Sequence, residues 1–335
     1  MSDDSLRGRF VWHELMTPDP KAAMAFYSKV VGWKVQAWEK DPSYTILLAA
    51  GRPIAGVMVL PAEAKAMGAP PHWLTYIGTP DVDATARLAA ELGGRVLKPA
   101  MDIPDVGRFA VLQDLQGAVF AAFKPARGPM GGDKPGLGDF SWHELATTDW
   151  PAAFGFYQEL FGWEKTESMD MGPGGTYQMF GWKGNTIGGT FTKPPNMAGP
   201  AYWMPYAVVA DSKGAATIVK KLGGKITNGP REIPGGDWIV QLVDLQGAHF
   251  AVHSRKQAAA RTPARRRPAK TAKPAGRPAH AAARVKTAKK VKASKKKATP
   301  KRAAPKKAAP SKRSRRKVTR SSTPRRAKTA ARKRR

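Results

Sequence analysis

The stretch that decides the fold is FVWHELMTPDPKAAMAFYSKVVGW, Phe10 to Trp33, which recurs 130 residues later as FSWHELATTDWPAAFGFYQELFGW, Phe140 to Trp163. A second shared stretch, DLQGAVFA from Asp114, recurs as DLQGAHFA from Asp244. Each repeat is about 115 residues long, which suits an independent domain better than a solenoid unit. The chain is therefore expected to contain a duplicated domain.

Charge divides the chain into a folded part and a tail. The whole chain has 57 Lys and Arg against 25 Asp and Glu, but residues 255–335 hold 34 of the basic side chains and no acidic one. What remains is almost neutral, so only the tail indicates an anionic partner. We predict a first domain over residues 9–124, a Gly/Pro linker over 125–138, a second domain over 139–254 and a tail over 255–335.

Each repeat is predicted to contain two βαβββ units. In the first repeat, Phe10 to Met16 is prone to form a strand, and Asp19-Pro20 is typical of a helix start. A second helix is expected to begin at Asp81 and end at Gly93-Gly94. Further strands are predicted at Trp33 to Trp38, Tyr44 to Ala49, Ile54 to Leu60, Trp73 to Gly78, Arg95 to Lys98, Arg108 to Gln113 and Ala118 to Phe123.

This pattern resembles the vicinal oxygen chelate superfamily of glyoxalases, bleomycin-resistance proteins and extradiol dioxygenases. The resemblance rests on the paired βαβββ units, the Asp-led helix that carries Phe-Tyr and ends at Gly-Trp, and the last strand entered through Asp-x-x-Gly. It covers nearly all of residues 9–254, twice. It implies an α+β fold in which each domain forms a cupped mixed sheet, with substrate and usually a divalent metal on the concave face.

The resemblance also places the usual metal-ligand positions of that superfamily on apolar residues in both repeats. These positions are Trp12, Leu74 and Ala121 in the first repeat, and Trp142, Met204 and Ala251 in the second. None can bind a divalent cation, which prefers carboxylate or imidazole ligands. We therefore expect no metal and no other cofactor, although a shift of one residue would put His13 and His143 at the first position.

Strand alternation places Trp12, Glu14 and Met16 on one face of the first strand and His13 on the other. Glu14 and Glu144 are thus expected to face the cups, either as catalytic carboxylates or as acids paired with an Arg or a backbone donor. The aromatic side chains of the shared helix motif, Phe26-Tyr27 and Phe156-Tyr157 with Trp33 and Trp163, are expected in the core. Further candidate pocket residues are Trp12, His72 and Tyr76 in the first repeat, and Trp142, Tyr202, Tyr206, His249 and His253 in the second.

Three functions fit these residues. An apolar cup rimmed by Tyr, Trp and His fits a pocket for a small apolar or aromatic molecule, without catalysis. Alternatively, Glu144 with His249 and His253 could form an atypical metal or acid–base site of a lyase or dioxygenase, unless the two histidines merely lie near the surface. In the third hypothesis the repeats are structural and the tail alone functions, as in a nucleoid-associated protein.

The tail is rich in Ala, Lys, Arg and Pro, has Val as its only large aliphatic residue and is predicted to be disordered. It resembles the tails of linker histones (histone H1) and of bacterial nucleoid proteins with histone-like extensions. Without aromatic side chains, it is expected to bind DNA or RNA by charge alone. The basic clusters expected to contact nucleic acid are Arg265, Arg266, Arg267, Lys295, Lys296, Lys297, Arg315, Arg316, Lys317, Arg332, Lys333, Arg334 and Arg335.

The remaining features bear on location and assembly. The chain has no cysteine, which fits a reducing compartment. Neither a signal peptide nor an apolar run of about 18 residues is present, so we predict a cytoplasmic, nucleoid-associated protein. The sequence leaves open whether the repeats pair within one chain or across a homodimer.

Overall fold

The computed structural model describes residues 5–127, 134–197 and 199–256, and these belong to one compact unit. Beyond residue 256, the predicted tail and all its basic clusters lie outside the described residues. Part of the predicted linker lies outside them as well. Within the described ranges, no helix is long and apolar enough to cross a membrane.

Each repeat folds into one eight-stranded sheet with few helices. The first contains β1 (Phe10–Thr17), α1 (Pro20–Val30), β2 (Lys34–Trp38), β3 (Asp41–Ala49), β4 (Arg52–Val59), α2 (Ala62–Ala66), β5 (His72–Gly78), α3 (Val82–Glu91), β6 (Arg95–Ile103), β7 (Gly107–Gln113) and β8 (Val119–Pro125). The second contains β9 (Phe140–Thr147), α4 (Trp150–Phe161), β10 (Glu164–Asp170), β11 (Thr176–Trp182), β12 (Asn185–Thr192), β13 (Tyr202–Val208), α5 (Ser212–Lys221), β14 (Lys225–Glu232), β15 (Trp238–Val243) and β16 (His249–Ser254). The predicted pair of βαβββ units per repeat is confirmed.

The strand order is the same in both sheets. It runs β2-β3-β4-β1-β5-β8-β7-β6 in the first sheet and β10-β11-β12-β9-β13-β16-β15-β14 in the second. The first strands of the two units pair antiparallel at the centre, as β1 with β5, and each pairs on its other side with a parallel strand. Residues of β1 and β5 therefore occupy the middle of the concave face.

The helix starts follow the sequence prediction. Asp19 caps α1 by accepting a hydrogen bond from the amide of Ala22 at 3.0 Å, with Pro20 in the first turn. Asp81 caps α3 in the same way through the amide of Ala84 at 2.9 Å. A carboxylate at this position satisfies an amide that has no partner within the helix, which fixes where the helix begins.

Two local features depart from the sequence prediction. Strand β6 continues five residues past the predicted end at Lys98, through Pro99, because it lies at the edge of its sheet, where a missing amide donor is tolerated. The short helix α2 between the two units of the first repeat was not predicted. Its sequence carries no apolar stripe by which a helix could be recognised, and in the structure it buries none of its residues.

The main cores lie between the repeats rather than within either one. One core packs α1 and the adjoining strands of the first repeat against α5 and its strands in the second. The other packs α3 against α4 in the same manner. The Phe-Tyr and Trp side chains predicted to be core residues are buried here, including Tyr27, Trp33 and Trp163. The two repeats thus pair within the chain.

Reciprocal hydrogen bonds connect the repeats inside these cores. The hydroxyl of Tyr27 donates to Oδ2 of Asp244 at 3.1 Å, and that of Tyr157 donates to Oδ2 of Asp114 at 3.0 Å. Each tyrosine also accepts a hydrogen bond from a buried tryptophan indole, and the Trp73 indole lies 2.9 Å from the Tyr27 hydroxyl. The conserved spacing of the two sequence repeats therefore reflects contacts that each repeat makes with the other.

A buried histidine pair lies where the two central strands approach each other. Nε2 of His13 and Nε2 of His143 are 2.8 Å apart, so one ring donates to the other. Phe10 stacks on His143 and Phe140 stacks on His13, with ring centroids 3.5 and 3.7 Å apart. Burial lowers the pKa of both imidazoles, that of His143 to about 3, and the neighbouring ring lowers the pKa of His13 further.

This pair predicts a loss of stability in mild acid. Between the ordinary histidine pKa of about 6.5 and the lowered folded value, the unfolded chain binds more protons than the folded chain. The contribution of this pair to stability should therefore fall as the pH drops below about 6.5, by up to about 1.4 kcal/mol per pH unit for each histidine, and it is read from the difference between the protein and a variant without the pair. Urea midpoints measured between pH 5 and pH 7 test this. The matched variant His13→Leu/His143→Leu should show a flatter pH dependence, and an unchanged dependence would contradict the assignment.

Candidate functional site

The central strand β1 directs alternate side chains to opposite faces of its sheet. Trp12 lies opposite Tyr76 of β5, and Glu14 lies between Leu74 of β5 and Gly56 of β4. We call this concave face of the first sheet the first cup and the equivalent face of the second sheet the second cup. His13 points away from the cup into the contact between repeats, so the predicted orientation of Trp12 and Glu14 agrees with the structure.

Glu14 is held by two tyrosines at the bottom of the first cup. The hydroxyl of Tyr76 donates to its Oε2 at 3.0 Å, and Tyr44 forms a second hydrogen bond to the carboxyl group. The indole of Trp12 donates to the Tyr44 hydroxyl at 3.2 Å. Burial raises the pKa of Glu14, while the tyrosine hydrogen bonds and the charge of Lys98 act in the opposite direction. The result is a buried acid with hydrogen-bond partners from two strands, β3 and β5.

Tyr44 reaches Glu14 only because β4 carries a glycine beside it. A Cβ atom on Gly56 would lie 1.8 Å from the Tyr44 hydroxyl oxygen. In the second repeat, a Cβ on Gly189 would lie 2.3 Å from the Tyr177 ring. Each tyrosine therefore lies across the neighbouring strand in space that any other residue would fill.

The second cup repeats this arrangement and adds an amide. Glu144 accepts hydrogen bonds at Oε2 from the hydroxyls of Tyr177 and Tyr206, at 3.1 and 2.9 Å. Trp142 donates to Tyr177 at 2.8 Å, as Trp12 does to Tyr44. In addition, the side-chain amide of Gln241 donates to Oε1 of Glu144 at 2.8 Å. Burial raises the pKa of Glu144 to about 7 despite these hydrogen bonds.

A large cavity opens above Glu14. It has a volume of about 1530 Å³, and its lining is mostly apolar, with aromatic rings from Trp12, Trp38 and Phe109. Charged side chains line it as well, namely Glu14, Glu63, Arg95 and Lys98. A typical small-molecule pocket occupies about 300–1,000 Å³, so this cavity can admit a ligand of several rings.

The second repeat contributes one wall of this cavity. His72 and Tyr202 occupy equivalent positions at the starts of β5 and β13, and both line it. His249 stacks on Tyr202 with ring centroids 4.3 Å apart and lines it as well. Tyr202 and His249 were predicted as residues of the second cup. Tyr202 packs on the apolar cluster of that cup, and both residues also line the first cavity.

His253 lies apart from Glu144. Its Nε2 is 2.8 Å from Oδ2 of Asp237 and its Nδ1 is 3.0 Å from the Ser141 hydroxyl. His249 lies two strands from Glu144, or about 10 Å at the usual strand spacing. Glu144, His249 and His253 are therefore not brought together into the improvised site that the sequence suggested.

The donor set of the cups does not fit the metal centre that the fold implies. Leu74 and Ala121 are fully buried apolar residues, as are Met204 and Ala251 in the second sheet. Within the described ranges, no group of three His, Asp or Glu side chains lies close enough to hold a metal ion. Each cup thus supplies one carboxylate, already hydrogen-bonded to tyrosines, and we derive no step through a metal.

Several residues of the site were missed from the sequence. The predicted site residues do not include Tyr44, Tyr177, Gln241, Lys98 or Gly56. Strand parity on β3 and β15 could have placed Tyr44 and Gln241 on the concave face. Alternation does not predict the register between neighbouring strands, and this register decides which side chains reach the glutamate.

The comparisons with known proteins agree with this fold. Residues 9–121 match the family described as the glyoxalase/bleomycin resistance protein/dioxygenase superfamily. The chain is 31% identical over 247 residues to a putative glyoxylase of Mycobacterium tuberculosis, covering 72% of this chain and 92% of the relative. It is 30% identical over 261 residues to an anthracycline biosynthesis protein of Streptomyces peucetius, covering 73% and 92%. The chain therefore belongs to the glyoxalase/bleomycin resistance protein/dioxygenase superfamily.

Solved structures show the same architecture at low sequence identity. A Mn(II)-bound glyoxalase from Novosphingobium aromaticivorans has a TM-score of 0.51 and 16% identity, covering 74% of this chain and 82% of the other. A 2,2',3-trihydroxybiphenyl 1,2-dioxygenase from Sphingomonas wittichii has a TM-score of 0.54 and 11% identity, covering 74% and 90%. At this identity the likeness shows the fold alone.

The glycine beside Glu14 gives a direct test of the cluster. Gly56→Ala should force Tyr44 away from Glu14 and destabilise the protein by about 1–3 kcal/mol, the usual cost of overpacking. Adding Tyr44→Ala should relieve the clash, so the double variant should lose less stability than the two single variants together. Urea denaturation measures all three.

A helical glycine supplies the matched control. Gly155 lies in α4, and a Cβ there meets no atom within 4 Å. Gly155→Ala should therefore be neutral, or stabilise the protein by about 0.5–1 kcal/mol. If Gly56→Ala behaved like Gly155→Ala, the close approach of Tyr44 to β4 would be refuted.

Proposed function

We propose that the first cup binds a small, flat, apolar or aromatic molecule. The observation that carries this proposal is the cavity of about 1530 Å³, in which apolar and aromatic side chains surround one buried carboxyl group. Burying the faces of a flat ligand against such rings is favourable, and a few polar groups then fix its orientation.

The name of one similar protein agrees with a ligand of this kind. The Streptomyces peucetius relative is named for anthracycline biosynthesis, and anthracyclines are flat polycyclic molecules. This name supports an aromatic ligand for the cavity of this chain.

A second candidate is catalysis of a lyase or dioxygenase type by an atypical site. The observation in its favour is that Glu14 and Glu144 are buried acids with raised pKa values, as expected of groups that transfer protons near neutral pH. Of the two, Glu14 lines the large cavity. Binding is the better-supported function. The acid–base site predicted from the sequence required His249 and His253 beside a glutamate, and these side chains are not brought together.

The cavity proposal predicts site-specific binding of a flat probe. The full chain should bind naphthol, measured by calorimetry, and Ile103→Trp should weaken that binding at least tenfold by filling the cavity, which Ile103 lines. Ile233 occupies the equivalent position in the second repeat, so Ile233→Trp is the matched control and should leave the affinity unchanged. Absence of naphthol binding, or equal effects of both variants, would refute the proposal.

We also propose that the tail binds DNA without sequence preference. The support is the charge distribution, with 34 basic and no acidic side chains in residues 255–335. Such binding is driven by release of counterions from phosphates and therefore depends steeply on salt. The tail would then hold the ligand-binding repeats near the chromosome.

The tail proposal predicts a measurable salt dependence. A plot of log affinity against log salt should be linear, with a slope of about −0.9 for each phosphate neutralised, and equal for scrambled DNA sequences. Substituting Arg315, Arg316 and Lys317 by Gln should make the slope shallower by up to about 3. Fluorescence anisotropy at rising salt measures this. If a chain ending at Ser254 bound DNA as well as the full chain, the tail would not be the binding element.

A further inference from the structure

The two cups differ at a pair of facing positions. In the second sheet, Asn228 of β14 lies opposite Gln241 of β15. In the first sheet, the equivalent strands place Lys98 opposite Val111. The rest of the glutamate cluster is the same in both repeats, so this pair is where the chemistry of the cups diverges.

In the second cup this pair completes an internal network. Gln241 donates to Oε1 of Glu144 at 2.8 Å and lies 2.6 Å from the Tyr206 hydroxyl. The Asn228 amide donates to Oε1 of Gln241 at 3.1 Å and holds the glutamine in place. Both oxygens of Glu144 thus accept hydrogen bonds from within the protein. A ligand could reach this carboxyl group only by displacing the half-buried amide of Gln241 and breaking its hydrogen bonds.

In the first cup the same pair leaves the carboxyl group available to a ligand. Val111 has no hydrogen-bond donor to replace Gln241, and it lines the cavity together with Glu14 and Lys98. The ammonium of Lys98 lies 5.5 Å from the ring centroid of Phe109, on the cavity wall. Among the described residues, Lys98 takes part in no salt bridge. The mostly apolar lining therefore includes the buried acceptor of Glu14 and the exposed cation of Lys98. The other charged side chains that line the cavity, Glu63 and Arg95, are exposed as well.

We propose, building on the function proposed above, that the first cup selects flat molecules carrying both a hydroxyl or N–H donor for Glu14 and an anionic oxygen for Lys98. The second cup is the structural copy, closed by Gln241. Hydrogen bonds to charged groups are stronger than those between neutral groups, and a ligand without a donor leaves an oxygen of the buried Glu14 without that partner. Val111 and Lys98 are then the residues that determine specificity.

Three probes separate the two contacts. They are a hydroxynaphthoate whose hydroxyl and carboxylate lie on opposite rings, naphthoate without the hydroxyl, and naphthol without the carboxylate. Calorimetry on the full chain should give the hydroxynaphthoate an affinity at least tenfold higher than that of either simpler probe. Equal affinities for the three probes would overturn the selectivity while leaving the ligand-binding function intact. Failure of all three to bind would overturn both.

Two variants assign each contact to its residue. Lys98→Met should remove the advantage of hydroxynaphthoate over naphthol. Val111→Gln should supply Glu14 with the internal amide that Glu144 already has, and so remove the advantage over naphthoate. Neither residue is fully buried, and far-ultraviolet circular dichroism checks that both variants fold.

The second cup provides the control. Gln241→Val opens the network around Glu144 and should change neither affinity ratio. A change in these ratios in Gln241→Val, or unchanged ratios in both first-cup variants, would overturn the assignment of the ligand to Glu14 and Lys98.

Discussion

The rest of the structure depends on one kind of contact: a tyrosine of one repeat donates a hydrogen bond to the aspartate of a turn in the other. Oδ1 of Asp114 accepts hydrogen bonds from the amides of Gln116 and Ala118, at 3.0 and 2.8 Å, while its Oδ2 accepts from Tyr157. One carboxylate thus both closes the turn before β8 and joins the two repeats. The turn also requires Gly117, whose φ of +98° is strained for other residues. Because Asp244 has the same role, the sheet faces opposite the cups are buried against each other and only the cups remain for a ligand.

Because one face of each sheet forms a cup and the other packs on the second repeat, a short strand motif contributes to both. In Trp-His-Glu-Leu, strand alternation sends the tryptophan and glutamate to the cup and the histidine and leucine to the contact between repeats. The histidines meet as His13 and His143, where a charge would be buried, so both remain neutral over a wide pH range. A single strand of each repeat therefore contributes to the core and to the site at once, and a shift of register by one residue would lose both.

Part of the fold and of the site could be predicted from the sequence. The strands, the helix caps and the position of Glu14 and Glu144 on the concave faces were predicted, because these features follow from local period and composition. The sequence could not predict which neighbours reach the glutamates, since Tyr44 and Gln241 come from strands whose register is fixed by the whole sheet. His249 and His253 share a face of β16, as predicted. However, four residues of strand separate them by about 13 Å, so parity alone overstated their proximity.

Each cup contains a buried glutamate but lacks the metal-ligating side chains that are usual in this fold. A single carboxylate surrounded by tyrosine hydroxyls is stable without a cation, because hydrogen bonds offset the cost of its burial. The surroundings of the two acids differ in other respects. The second copy satisfies Glu144 with Gln241, whereas the first surrounds Glu14 with a large apolar cavity and places Lys98 on its wall. The buried acid is thus held within an internal network in one repeat and lines a large cavity in the other, although both repeats share the same sequence motif.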